Sequence, residues 1–331
     1  MLCNLFLKWF TKRIYEIRRE KMNPQSAPKK KRNYKQYLPL YRMMVPGLAY
    51  LIVNNYIPMG GLIIAFKRFN YGKGIWGSPF IGLTNFKFLF TGKDSLLIIR
   101  NTMLYNLAFI VLGTVFSVTI AILLNAVTQK RLQKAYQTVI LIPYLISIVI
   151  VSYMTFAFLS QESGFINNTL TNVLGTEPIG WYATPKYWPF ILTLIYLWKS
   201  CGYTSIIYYT NIIGIDPALY EAATVDGANG WQKIRYITLP ALKSTVITMV
   251  LLSVGRIFFS DFGLFYQVPM NSGPLLDVTI TIDTYVYRAL TTLNDVGRSS
   301  AAGFMQSICG FLVVFAANFI VNKIDPDNSL F

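Results

Sequence analysis

The chain has 331 residues, of which 54% are hydrophobic and only 13% are charged, and its mean hydropathy is positive. So little polar surface excludes a set of water-soluble domains and indicates a membrane protein. The sequence has no histidine, which argues against hydrolases that need a histidine base and against metalloenzymes with histidine ligands. We expect no metal site. Its three cysteines, Cys3, Cys201 and Cys309, are too scattered for a disulfide framework or a zinc site.

The N-terminal tail is strongly basic. Lys and Arg outnumber Asp and Glu by 30 to 14 in the whole chain, and residues 1–42 carry twelve of these basic residues against only Glu16 and Glu20. We expect residues 1–40 to form a cytoplasmic tail that is partly disordered or lies at the membrane surface. An alternative is that translation starts at Met22 and that the first 21 residues are an upstream extension.

Six apolar stretches are long enough to cross the hydrocarbon core of a bilayer, which takes about 20 residues. They lie at about residues 41–66, 98–127, 135–159, 188–213, 241–264 and 299–321. The sequence therefore predicts an all-α membrane domain over residues 41–322 with six transmembrane helices, followed by a short cytoplasmic tail, 323–331. Because the basic tail places the N-terminus in the cytoplasm, six crossings return the C-terminus to the same side.

The segments predicted on the outer side of the membrane are residues 67–97, 160–187 and 265–298. The first of them departs from the positive-inside rule. It carries Lys67, Arg68, Lys73, Lys87 and Lys93 against Asp94. We keep the orientation because the N-terminal tail has the larger charge excess, and we expect residues 67–97 to be a contact surface for a partner protein.

The cytoplasmic connection between the fourth and fifth spans, residues 213–240, has clear helix signals. Asp216 is a good N-cap, and Pro217 suits the first helical turn because its missing N–H is not needed there. Gly227 is placed to end the helix. We predict a helix at about residues 216–227, then a short second helix that ends before Pro240. A rigid helix that projects from a membrane bundle is a docking element.

Seven residues of this connection form a spaced pattern: Glu221, Ala222, Ala223, Gly227, Ile237, Leu239 and Pro240. In these residues and their spacing the connection resembles the EAA signature of binding-protein-dependent ABC importer permeases. Weaker similarities point to carbohydrate-uptake permeases of the LplB-like oligosaccharide and polysaccharide branch. They lie at Val45-Pro46-Gly47, Asn101-Thr102, residues 143–147 and residues 282–288.

The resemblance implies a type I ABC importer permease with the MetI-like fold, in a plasma membrane, whose EAA helix fits a cleft of a cytoplasmic ATPase. Its implied partners are a second homologous permease, cytoplasmic ABC ATPase subunits, and an extracellular or periplasmic solute-binding protein that delivers an oligosaccharide. ATP and Mg would be held by the ATPase, and no cofactor by this chain. The chain is then a permease and not an enzyme, which agrees with its lack of the phosphate-binding pattern G-x-x-x-x-G-K-S/T.

Two cations, Lys199 and Arg256, lie inside the predicted fourth and fifth spans. Insertion of a cation at a helix centre costs about 2.5–3.5 kcal/mol, so such residues usually face a polar cavity. They are candidates for a substrate pathway that attracts acidic sugars. The alternative is structural, with Arg256 paired to Asp261 and Lys199 bonded to carbonyls of a neighbouring helix. Aromatic candidates that could stack on sugar rings are Tyr144, Tyr153, Trp198 and Tyr203.

Two other function classes stay open from the residues alone. A secondary transporter or channel for a small polar solute would need no ATPase, but the spans lack the paired carboxylates and the repeat symmetry typical of such proteins. A membrane-anchored nucleic-acid binder built on the basic tail lacks a recognisable module.

Overall fold

The computed structural model describes residues 34–91 and 93–324 and is almost entirely helical. The helices of eight residues or more in this part are α1 Tyr34–Leu51, α2 Lys93–Ala126, α3 Lys130–Leu145, α4 Ile148–Leu159, α5 Phe165–Leu174, α6 Trp188–Ile213, α7 Pro217–Val225, α8 Leu239–Val254, α9 Ile282–Thr291 and α10 Val296–Ile324. Short α-helical segments lie at Ile57–Met59, Gly74–Gly77, Phe88–Thr91, Gly230–Lys233 and Leu276–Thr279. The π-helical turns are Ile52–Tyr56, Ile234–Thr238 and Gly263–Gln267, and the 3₁₀ turns are Gly60–Phe66, Gly82–Phe86, Trp181–Ala183, Pro185–Tyr187 and Gly273–Leu275. These described residues form no β-strand, only an isolated antiparallel bridge between Lys67 and Phe80.

Five helical runs in the described ranges are long and apolar enough to cross a membrane, and six if one bent pair counts as a span. They are Tyr37–Phe66, Ser95–Ala126, Pro185–Ile213, Gly230–Val254 and Val296–Lys323, and the bent pair is Lys130–Leu145 with Ile148–Leu159. The predicted all-α membrane fold is therefore confirmed. The predicted fourth span, residues 188–213, has the same bounds as α6.

The third predicted span, residues 135–159, is not one straight helix. Helices α3 and α4 meet at 92°. Pro143 lies two residues before the end of α3, and Ser147 caps α4 by accepting a hydrogen bond from the N–H of Val149. A proline interrupts helical hydrogen bonding and a serine starts a new helix, so the two residues together account for the break.

The fifth predicted span, residues 241–264, also differs from the structure. Helix α8 ends at Val254, and the span begins earlier, because the second helix predicted to end before Pro240 instead continues through the π turn Ile234–Thr238 into α8. A proline ring crowds the carbonyl four residues before it, here that of Tyr236. The wider π turn accommodates this crowding without ending the helix.

Both predicted tails lie largely outside the described residues. Helix α1 begins at Tyr34, so the predicted tail of residues 1–40 is helical from there on. Residues 1–33, with the alternative start at Met22, fall outside the described ranges, and so do residues 325–331.

The chain divides into two compact units, residues 1–60 and residues 61–331. The described part of the first unit is one helical run with a π turn. In the second unit, α6 packs lengthwise against α2 and also against α3. A Cβ atom at Gly202 would lie 1.8 Å from the carbonyl oxygen of Ile140, so glycine is needed for α6 to approach α3 this closely.

The loops at one end of the second unit are held together by hydrogen bonds. Asn101 Nδ2 donates to the carbonyls of Asp277 (2.9 Å) and Ile280 (3.1 Å), and Thr102 Oγ1 accepts from the N–H of Ile282 at 3.0 Å. We call this end, to which residues 61–91, 160–187 and 255–298 belong, the loop end. The opposite end, where α6 finishes and α7 follows, is the α7 end.

Candidate functional site

Helix α7 is short and closed at both ends by local hydrogen bonds. Asp216 Oδ1 accepts from the N–H of Ala218 at 2.9 Å, and Pro217 occupies the first turn. The C-terminal end turns at Gly227, whose φ of +78° is left-handed, and the N–H of Ala228 donates to the carbonyl of Ala223 at 2.8 Å. The nine-residue helix is therefore a defined, rigid element despite its length.

Two side-chain contacts join α7 to the base of the following span. The hydroxyls of Tyr220 and Thr238 lie 2.9 Å apart, and Lys233 Nζ donates to Thr224 Oγ1 at 2.8 Å. Thr238 is buried in the π turn that leads into α8. These two contacts tie α7 to the base of α8.

The signature residues lie on α7 and on the run into α8. Glu221 and Ala222 are exposed, Ala223 and Ile237 are half-buried, and Leu239 and Pro240 are exposed at the start of α8. No residue of α7 is buried. Large apolar side chains are exposed on and beside it, with exposed fractions of 53% for Leu219, 88% for Val225 and 65% for Trp231. An exposed apolar patch on a projecting helix is typical of a docking surface.

Lys199 joins α6 to the break between α3 and α4. Its Nζ donates to the carbonyls of Pro143 (3.4 Å), Tyr144 (3.2 Å) and Ile146 (2.5 Å). These carbonyls lie at and just after the C-terminal end of α3, where a positive charge is favourable. Lys199 therefore makes the bonds that the structural alternative predicts, to carbonyls of a neighbouring helix.

Aromatic side chains surround this break. Tyr144 of α3 and Tyr203 of α6 are stacked, with ring centroids 4.7 Å apart and planes inclined by 13°. Trp198 precedes Lys199 on α6, and Tyr153 lies further along α4. All four rings are exposed by 44% or more. Of the four, Tyr144 and Tyr203 are in mutual contact at the break.

Arg256 does not lie inside a helical span, contrary to the sequence prediction. Helix α8 ends two residues before it, and its side chain is exposed. The alternative pairing of Arg256 with Asp261 is not formed, whereas Arg298 and Asp295 do form an ion pair. Asp261 Oδ1 instead accepts from the N–H of Leu264 at 3.1 Å.

Asp283 has a role that the sequence prediction missed. Its Oδ2 accepts from the N–H (2.6 Å) and the hydroxyl (2.8 Å) of Ser260 and from Nε2 of Gln306 (3.1 Å). It therefore joins α9, α10 and the chain after α8. The signal in the sequence was a single carboxylate in an aromatic stretch, which by itself predicts no partner.

The described ranges contain no group of three His, Cys, Asp or Glu residues that could hold a metal ion. They do contain the rigid helix α7 at one end of the bundle. They also contain the break between α3 and α4, which is bonded to Lys199 and has exposed aromatic side chains near it. The first arrangement suits mechanical coupling to another protein, and the second suits contact with an uncharged ring surface.

Comparison with known proteins gives the same family by sequence. The profile described as "Binding-protein-dependent transport system inner membrane component" matches residues 113–329. The chain is 32% identical to Protein LplB of Bacillus subtilis (strain 168) over 289 residues, which cover 87% of this chain and 90% of LplB. It is also 32% identical, over 284 residues, to the polygalacturonan/rhamnogalacturonan transport system permease protein YteP of the same strain, covering 86% of this chain and 88% of YteP.

Two solved structures have a similar fold. One is a bacterial ABC transporter involved in the import of the acidic polysaccharide alginate, with a TM-score of 0.80 and 30% identity, covering 88% of this chain and 97% of that chain. The other is a bacterial alginate ABC transporter in complex with an alginate pentasaccharide-bound periplasmic protein, with a TM-score of 0.80, 29% identity and coverage of 90% and 98%. The similarity therefore extends beyond α7 to most of the bundle.

Proposed function

We propose that this chain, which belongs to the family of binding-protein-dependent transport system inner membrane components, is the permease subunit of an ATP-driven importer of oligosaccharides. The proposed oligosaccharide substrate is supported by similarity to two proteins. One is YteP, named as a polygalacturonan/rhamnogalacturonan transport system permease, and the other is the alginate importer. The proposed partners are a second homologous permease, cytoplasmic ATPase subunits that hold ATP and Mg, and a solute-binding protein. A periplasmic protein bound to an alginate pentasaccharide in the second solved structure supports the last of these.

The proposed coupling element is α7. Its exposed residues, including Glu221, would lie in a cleft of the ATPase, with Leu219 and Val225 supplying apolar contact. ATP-driven closure would move α7, and the Tyr220–Thr238 contact would pass that movement to α8. Alternating access of the bundle then follows from a two-state change in its packing.

The proposed orientation is supported by the position of α7. Because the ATPase is cytoplasmic, the α7 end faces the cytoplasm and the loop end faces outward, towards the solute-binding protein. The basic residues of the N-terminal tail support cytoplasmic termini.

The proposed sugar contacts are the exposed aromatics near the break between α3 and α4. The stacked rings of Tyr144 and Tyr203, with Trp198 and Tyr153, offer flat apolar faces to the C–H surfaces of sugar rings. Lys199 shapes this surface instead of selecting charge, since three carbonyls already accept from its ammonium. The half-helix ends at the break are typical of substrate sites in other transporters.

The observation that carries this proposal is the capped, exposed α7 with the signature residues, bonded to the base of α8. Its test is co-purification of the complex from membranes after substitution Glu221→Arg. We expect the variant to lose the ATPase while the second permease stays bound. Glu177→Arg, an exposed glutamate outside α7, is the matched control and should retain both partners. An ATPase retained at the level of the unchanged protein, or uptake by this chain alone in vesicles, would overturn the proposal.

A further inference from the structure

Arg288 carries a guanidinium group that this chain satisfies only in part. It lies in the last turn of α9 and is half-buried, and its Nη2 donates to Oδ1 of Asn271. Its Nε is buried and has no hydrogen-bond partner. In the part of the chain that the structure describes, it is the one buried side-chain nitrogen or oxygen in this position. Because buried polar groups are nearly always bonded, this exception needs an explanation.

The positive charge of Arg288 is not balanced by a carboxylate. Within the described ranges no Asp or Glu forms an ion pair with it. Its neighbours are the neutral amide of Asn271 and the ring of Tyr266, whose centroid lies 6.0 Å from Cζ of the arginine. Burial lowers the pKa of Arg288, because the charged form loses contact with water. A partly buried cation without a counter-ion is unfavourable, so a bound anion would stabilise this site.

The surroundings of Arg288 offer further polar groups that are not used within the described ranges. Nη1 of Arg288 makes no hydrogen bond and, unlike Nε, is not buried. Asn271 is exposed, and its Nδ2 has no acceptor. The hydroxyls of Tyr266 and Tyr287 also have no hydrogen-bond partner there. Donors for an anion and for neutral hydroxyls therefore lie side by side.

Three aromatic rings pack together beside these groups. Phe262 and Tyr266 are stacked with centroids 4.8 Å apart, and Tyr287 lies 4.8 Å from the first ring and 5.0 Å from the second. Tyr287 is 39% exposed, so part of its ring is open to a ligand. Asn271 is held next to this cluster by a left-handed φ of +50° and by its N–H, which donates to the carbonyl of Tyr266 at 3.1 Å. We call Phe262, Tyr266, Asn271, Tyr287 and Arg288 the Arg288 cluster.

The composition of the Arg288 cluster suits an acidic sugar. A sugar ring packs its C–H face on an aromatic ring, and its hydroxyls bond to amides and tyrosines. A uronic acid adds a carboxylate, for which arginine is the preferred partner. The cluster belongs to the loop end, between the candidate spans Gly230–Val254 and Val296–Lys323.

We propose that the Arg288 cluster binds an acidic sugar, with the uronate carboxylate on the guanidinium of Arg288 and the sugar ring against Tyr287. This inference rests on the proposed function, in which the loop end faces outward and receives the oligosaccharide. It assigns the selection of acidic over neutral sugars to Arg288 and not to Lys199, whose ammonium is already bonded to three carbonyls. An acidic side chain of the solute-binding protein has the same chemistry, so the experiment separates these two sources of a carboxylate.

The experiment measures sugar binding to the purified complex in nanodiscs, without solute-binding protein and without ATP. The probes are tri-galacturonate and tri-mannuronate, each compared with its carboxyl-reduced, neutral form by microscale thermophoresis. We expect at least one acid to bind about tenfold more tightly than its neutral form, since a hydrogen bond to a charged group provides about that factor or more. Arg288→Gln should abolish this preference. Arg298→Gln is the matched control, because Arg298 belongs to the same end but is already paired with Asp295, and it should leave the preference intact.

Arg288→Lys keeps the charge but lacks the planar fork that pairs with a carboxylate, so it should lower the preference about threefold. This variant keeps the test valid if Arg288→Gln does not assemble, which size-exclusion chromatography shows. Equal affinity for acidic and neutral forms in the unchanged complex would overturn the proposal. A preference that survives Arg288→Gln, or an equal loss for both forms, would also overturn it, the latter because Arg288 would then only hold the loop end together.

A second titration separates the two sources of the carboxylate. The solute-binding protein, free of sugar, is added to the unchanged complex and to Arg288→Gln. We expect equal affinities, and a clear loss in the variant would overturn the proposal by assigning the carboxylate to that protein. Sugar binding is measured without ATP turnover, so its outcome is distinguishable from that of the Glu221→Arg co-purification, which tests the proposed function at the α7 end.

Discussion

The hydroxyl of Tyr220 lies 2.9 Å from that of Thr238, and this contact joins the exposed helix α7 to the span that follows it. Thr238 is buried and Tyr220 is half-buried, so the bond is partly shielded from water. The contact links the surface that we propose for ATPase docking with the bundle that must move. Its loss should therefore affect coupling more than assembly.

We expect Tyr220→Phe to keep the ATPase bound but to lower the amount of sugar imported for each ATP hydrolysed. The substitution removes one hydrogen bond, worth about 1 kcal/mol, and leaves the Thr238 hydroxyl without that partner. The measurement is the ratio of uptake to ATP hydrolysis in proteoliposomes. Tyr236→Phe is the control, since Tyr236 is 69% exposed on the same run of chain. An unchanged ratio in Tyr220→Phe would contradict transmission through this bond.

Lys199→Gln should destabilise the break between α3 and α4 and lower uptake equally for neutral and uronic oligosaccharides. The substitution removes a charged donor from three carbonyls, which costs about 1.5–3 kcal/mol for a charged hydrogen bond. Thermal unfolding of the detergent-solubilised complex and uptake of both sugar classes are the measurements. Lys186→Gln, an exposed lysine just before α6, is the matched control. A loss confined to uronic substrates would instead place Lys199 in contact with the cargo.

Gly202→Ala should prevent the close approach of α6 to α3. Its Cβ would lie 1.8 Å from the carbonyl oxygen of Ile140, which is backbone and cannot move alone. We expect a loss of about 1–3 kcal/mol or more, seen as a lower unfolding temperature and less intact complex. Gly303→Ala is the control, because no atom lies within 4 Å of its Cβ position, and alanine favours the helix. Equal behaviour of the two variants would contradict this packing.

Asp283→Ala should loosen the loop end without affecting ATPase binding. It leaves the N–H of Ser260 without its acceptor, at about 1–3 kcal/mol for a buried donor left unpaired, whereas the amide of Gln306 keeps its bond to the carbonyl of Phe258. The readout is hydrogen exchange at residues 255–264, which we expect to become faster. Asp277→Ala removes an exposed carboxylate of the same end and should leave that exchange rate unchanged. Unchanged exchange in Asp283→Ala would rule out its role in holding the chain after α8.

The sequence predicted some elements correctly because their signals are local. The bounds of α6 follow from the length of one apolar stretch, and Asp216, Pro217 and Gly227 are standard signals for the ends of α7. The break at Ile146 was missed although Pro143 and Ser147 are both visible. Apolar length measures whether a segment can enter a membrane, but not whether it continues in one direction.

Long-range contacts could not be predicted from the sequence, because they depend on which helices pack together. Lys199 was identified as a residue with two possible roles, but only the position of α3 beside α6 decides that its ammonium bonds to carbonyls. Arg256 was placed inside a span because residues 255–259 are apolar enough to extend it. Helix α8 instead ends at Val254, and the chain after it is held by a hydrogen bond from Ser260 to Asp283, 23 residues later.

The hydrogen bond between Thr102 and Ile282 joins residues that are 180 positions apart. During synthesis the second span enters the bilayer long before residues 277–282 have left the ribosome. Until then the side chains of Asn101 and Thr102 lack the hydrogen bonds to that segment. A chain that stops before residue 280 can insert but cannot complete the loop end. We therefore expect the loop end to close only after residue 282 has been synthesised.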